Sequence, residues 1–199
     1  FVHKRIALAA REDLLPARRK LMHAALAQAI ESVHGHAIKP HYLALAHHFC
    51  GAGDPVRGLS YELQGARVEI NRGLPASARR LFQRVLDSAR RLQRSEDVTR
   101  SEIDAHLGLA ALAEAEGDRE RALSALDRAA VLVGSHEAGG RKTLLGMARA
   151  RLHYVSGEVD QCYALVRQVL GEAERSDAAL LWLPGEHLIG HLHLIGGSA

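Results

Sequence analysis

The stretch "AEAEGDRERALSALDRAA" (residues 113–130) places an acid directly after a glycine, then small and large apolar residues at fixed offsets. Gly117 can take the left-handed conformation that closes a helix, and Asp118 can accept a backbone N–H bond as the N-cap of the next one. Ala122, Leu126 and Ala129 follow Asp118 by 4, 8 and 11 residues, steps that keep one helical face. Small residues at both ends of that row let a neighbouring helix come close, and Leu126 fills the space between them. Before the glycine, Leu107, Leu109, Ala110 and Ala113 make the apolar stripe of a preceding helix. The stretch predicts a helical hairpin with a two-residue hinge.

The device recurs. Gly157-Glu158 stands 40 residues further on, followed by Cys162, Val166 and Val169 at the same offsets. One more step of that size reaches Gly196-Gly197, preceded by the apolar run Leu188, Ile189, Leu192 and Leu194, which reads as the first helix of a truncated repeat. Upstream, Gly53-Asp54-Pro55 offers an N-cap followed by proline at the first helical position, where its missing N–H costs nothing. Ala78, Phe82 and Val85 repeat the steps of four and three. The irregular spacing of these two upstream units predicts one helix, about Pro55–Asn71, serving both neighbours. Aromatics are only 4% of the chain, and alanine, leucine and arginine fill much of it, so the fold class is all-α.

Hinge, small residue at four, large apolar residue at eight and small residue at eleven resemble the tetratricopeptide repeat, whose usual period is about 34 residues. The early tryptophan and tyrosine of the strict consensus are absent, as is its closing proline. The resemblance covers roughly residues 40–199 and implies an α-solenoid of tetratricopeptide-like helix hairpins over 39–199, the last repeat truncated. Residues 1–38 are then a short helical junction.

That junction carries a resemblance of its own. Phe1, His3, Ile6, Leu15, Pro16, Ala17, Arg18, Arg19, Leu21, His23, Ala27 and Glu31 match a segment of large bacterial signalling ATPases of the STAND class. These include LuxR-type regulators and ATPases fused to adenylate cyclases or kinases. In them the segment closes a winged-helix module behind the nucleotide-binding domain. "LALAHHFCGAGDP" (Leu43–Pro55) is similar to the same family's transition into its helical repeats, departing from it at Cys50-Gly51. The resemblance implies that any ATPase precedes residue 1.

The residues themselves point to no reaction. "GSHEAGGRKT" (Gly134–Thr143) lacks the spacing of a phosphate-binding loop and the strand that should precede it. The two cysteines, Cys50 and Cys162, match no metal or redox spacing and read as buried free thiols of a reducing compartment. There are 13 histidines. His187 and His191 stand four apart, but in the order E-H-x-x-x-H rather than that of a zinc hydrolase. His34, His36 and His41 read as solvated loop residues. His47 and His48, adjacent on a helix, are expected to point in different directions. Trp182 reads as local packing. Arg79, Arg80, Arg84, Arg90, Arg91 and Arg94 read as the solvated face of an amphipathic helix rather than a nucleic-acid surface.

The expectation is therefore a cytoplasmic, non-catalytic regulatory or interaction module with no cofactor, no metal, no catalytic residue and no membrane span. It would bind a protein partner or small effector on a concave surface, with His106, Glu114, Arg149 and His153 as candidate lining residues. The alternative is an assembly scaffold that self-associates through the uncapped half-repeat Leu188–Leu194, without a small ligand.

Overall fold

The computed structural model describes residues 15–134 and 140–175, with side chains to 172. Every regular element among them is helical. Helix α1 (Pro16–His34) leads through two 3-10 turns (Gly35–Ala37 and Lys39–His41) into α2 (Tyr42–Ala52). Then follow α3 (Pro55–Asn71), α4 (Pro75–Ala89), α5 (Glu96–Ala115), α6 (Arg119–Gly134), α7 (Gly140–Val155) and α8 (Val159–Arg175). None of these helices is long and apolar enough to cross a membrane. Several expectations fall outside the described residues: those on Phe1, His3, Ile6, Trp182, His187, His191, the half-repeat Leu188–Leu194 and Gly196-Gly197.

The chain divides into two compact units, Phe1–Gln93 and Arg94–Ala199. In the first, α1 packs on α2, α2 on α3 and α3 on α4. In the second, α5 packs on α6, α6 on α7 and α7 on α8, and α5 also reaches α7. The expected helix Pro55–Asn71 is α3, and it serves both α2 and α4.

Four corners within these units share one hydrogen-bond pattern. Gly53, Gly73, Gly117 and Gly157 have φ of +87°, +71°, +74° and +75°, the left-handed region that favours glycine. In each corner the glycine N–H bonds to the carbonyl three residues back. The next residue's N–H reaches five back at 2.9 Å: Asp54 to Phe49, Leu74 to Glu69, Asp118 to Ala113 and Glu158 to His153. This six-to-one bond satisfies a carbonyl that the ending helix leaves orphaned. The following helix starts on side-chain caps where the sequence supplies them: Asp54 Oδ1 accepts from Arg57 N at 3.1 Å, and Asp118 Oδ1 from Arg121 N at 3.0 Å.

Each corner is followed by the same buried row, 4, 8 and 11 residues after its second member: Gly58, Glu62 and Gly65; Ala78, Phe82 and Val85; Ala122, Leu126 and Ala129; Cys162, Val166 and Val169. Leu126 and Ala129 belong to a core with Ile103, Ala110, Ala113, Leu145 and Leu152, while Cys162 and Val166 pack with Ala150 and Leu170. The first row departs from the others: Glu62 sits where Phe82, Leu126 and Val166 sit. Its carboxylate is buried, and Arg84 Nη2 stands 2.9 Å from Oε1, at ion-pair distance but without the angle of a hydrogen bond. Burial holds the Glu62 carboxyl above the ordinary glutamate range, and Arg84 offsets part of that.

Two expectations need correction here. Cys162 is buried as expected, but Cys50 is exposed. The Cys50 sulfur occupies the space that a side chain at Gly58 would need. His34 and His41 are not free loop residues, because the 3-10 turns bring their rings into a stack at 3.7 Å. Of the arginine cluster, Arg84, Arg90 and Arg94 pair with Glu62, Asp87 and Glu102 from exposed positions. Helix α1 buries little: Ala27 is enclosed, while Leu21, Met22, Leu26 and Val33 are exposed.

Candidate metal centre

The four candidate surface residues each have their own surroundings. Glu114, near the end of α5, takes a two-pronged contact from Arg151 of α7 at 2.6–2.9 Å. Arg149 of α7 donates to Asp127 of α6 at 2.6 Å. His153 Nδ1 lies 2.5 Å from Glu158 Oε2, and Arg119 donates to the same carboxylate at 2.8 and 3.0 Å. Together His153 and Arg119 hold Glu158 below the ordinary glutamate range. His106 is half-buried on α5. Three of the four thus contribute to joints between helices.

A different set of side chains converges between α1 and α2. The two helices are antiparallel: His34 meets His41 near the turn, and His23 meets His48 further from it. The contact is seated on a small core of Ala27, Leu45 and Phe49, with Ile30, Ile38 and Tyr61 against it. The turn-side end of α1 is also tied to α3. Arg57 Nη2 donates to Glu31 Oε1 at 2.6 Å, Tyr61 donates its hydroxyl hydrogen to the same oxygen, and the Arg57 guanidinium lies 3.8 Å above the Phe49 ring centroid.

On this frame His23, His47 and His48 form one cluster. His23 Nδ1 is 2.9 Å from His48 Nδ1, so one ring donates and the other accepts. Ring centroids lie 5.3 Å apart for His23 and His47, 5.1 Å for His23 and His48, and 5.4 Å for His47 and His48. One nitrogen from each ring falls within 4.8 Å of those of the other two. His47 and His48 leave α2 in different directions, and His23 of α1 stands about equally far from both, which completes the cluster. His48 is held below the ordinary histidine range, by partial burial first and then by His23 and His47.

Gly51 makes the approach possible. A Cβ there would lie 2.7 Å from His23 Cγ and Cδ2 and 2.8 Å from Nδ1. The glycine is what admits the imidazole. Hairpin arithmetic would have revealed the cluster: His23 and His47 lie equally far, 12 residues, before and after Gly35, so an antiparallel pair turning there brings them level.

No family model, no curated protein and no solved structure matches this chain.

Proposed function

We propose that residues 39–199 are the helical-repeat interaction module of a STAND-class signalling ATPase, stacked as a tetratricopeptide-like solenoid and non-catalytic in itself. It receives a protein partner or small effector on the face formed by the first helix of each pair. The observation that carries this reading is the four-fold recurrence of one corner and one buried row. Such recurrence is expected of units that bury their apolar faces against neighbours rather than around one centre.

Ion pairs spaced by about one repeat support it. Arg141 pairs with Asp104 at 2.9 Å and Arg151 with Glu114 at 2.6 Å, both joining α7 to α5, the first helices of successive hairpins. Arg119 reaches Glu158, the hinge acid of the following corner, at 2.8 Å. The exposed leucines of α1 support its assignment as a junction that a preceding module covers. In this reading an effector that binds one stacking arrangement better than another shifts the population of states and so controls the ATPase.

The test is ATP turnover by the full-length protein, compared with a version lacking residues 39–199. A severalfold change in basal turnover or in its response to added effector is expected. Unchanged turnover, or a full-length chain without a phosphate-binding loop ahead of the junction, refutes the reading.

A further inference from the structure

We infer that His23, His47 and His48 form a site for one divalent transition-metal ion of the zinc class, which pins α1 to α2. This inference does not rest on the proposed function.

Neutral imidazole is the metal-binding form of histidine. Three imidazoles with a fourth position left to water make a recognised zinc donor set. Tetrahedral ligands at about 2.0–2.1 Å from zinc stand about 3.3 Å from one another. The Nδ1 atoms of His23 and His48, at 2.9 Å, therefore have to open by a few tenths of an ångström, and the other pairs, all within 4.8 Å, have to settle at the same separation. Rotation of the three partly exposed rings is the movement this requires.

Coordination through those nitrogens replaces the hydrogen bond between His23 and His48. The ring that donated carries its hydrogen on Nε2 instead, with no net change of charge. The site also lies near the C-terminus of α2, which ends at Ala52, where the carbonyl ends of the helix favour a cation. Gly51 provides a further sign of a built site. The helix gives up a side chain at the one position where any Cβ would push His23 out of the cluster.

The test titrates zinc chloride into the protein at neutral pH against a chromophoric chelator. Wild type, H23A, H48A, G51A and the H187A/H191A double variant are compared, with far-UV circular dichroism confirming that each is folded. One equivalent of zinc is expected to bind wild type and H187A/H191A alike. Affinity should fall tenfold or more in H23A and H48A. It should also fall in G51A, which removes no ligand atom. Nitrogen-15 spectra of the imidazoles should show the His23 and His48 resonances shifting on addition of zinc in wild type. Zinc binding that is unchanged in H23A, or lost only in H187A/H191A, overturns the proposal.

Discussion

Replacing Gly117 or Gly157 by alanine tests the corner on which the architecture rests. Both residues have φ near +75°, and a Cβ added to either meets nothing within 4 Å. The substitution is therefore free of clash and isolates backbone strain. Holding an ordinary L-residue in the left-handed region costs about 1–2 kcal/mol. Alanine's smaller loss of chain entropy on folding returns about 0.5 kcal/mol. The net cost is about 1 kcal/mol per corner, and about 2 kcal/mol for the double variant if the two corners are independent. With a urea slope of about 2 kcal/mol per molar, the midpoint falls by about 0.5 M for each single variant and about 1 M for the double. G117N should lose less, because asparagine tolerates the left-handed region better than alanine. A glycine inside a helix predicts the opposite sign, since alanine there stabilises by about 0.8–1 kcal/mol. A midpoint for G117A equal to or above that of wild type refutes the corner.

Four further outcomes follow from the packing. E62L puts an apolar residue where the other rows already have one, and replacing a buried, partly paired charge in this way should raise stability at neutral pH by about 1–3 kcal/mol. Because the folded state raises the Glu62 pKa, wild-type stability should decline as pH rises from the ordinary glutamate range through the raised value, a decline that denaturation of E62Q across pH should lack. Glu158 has the opposite sign: its pKa is lowered, so its contribution is present above the ordinary glutamate range and is lost as pH falls through the folded value, and E158Q should flatten that acid limb of thermal melts. G146A drives a methyl into Val169 Cγ2 across the contact of α7 with α8, and should cost about 1–3 kcal/mol in urea denaturation, much of it recovered in G146A/V169A.

The corners were legible because their chemistry is local. A glycine, an acid and three apolar offsets lie within thirteen residues, and each works close to its own turn. Gly53, Gly117 and Gly157 announce themselves by the acid that follows. Gly73 does not: Leu74 follows it, no side chain caps α4, and proline at the start of that helix takes over part of the role. The buried row Gly58, Glu62 and Gly65 was hidden for a related reason. Two glycines and a carboxylate look like a surface segment until the neighbouring corners show which face is turned inward. Here a charge occupies a core position, so local polarity and position in the repeat conflict, and position decides.

The histidine cluster was not legible one helix at a time, because adjacent residues on a helix diverge by about 100° and two such side chains cannot close on each other. Convergence needs a third group from another element, and its identity depends on register across a turn. Once α1 and α2 are antiparallel about Gly35, register brings His23 level with His47 and His48, and Gly51 clears the space it enters. Helical face alone suggests a shared surface for His106, Glu114, Arg149 and His153. Across the packed helices, partners 22 and 37 residues away hold Arg149 and Glu114, and the hinge acid Glu158 holds His153. Where α5, α6 and α7 pack together, a charge on one helix is within reach of the next and becomes part of a joint. Under the proposed function, an effector bearing a carboxylate would compete with Glu114 for Arg151 and so loosen the contact of α5 with α7. That coupling follows from the two-pronged geometry of one ion pair.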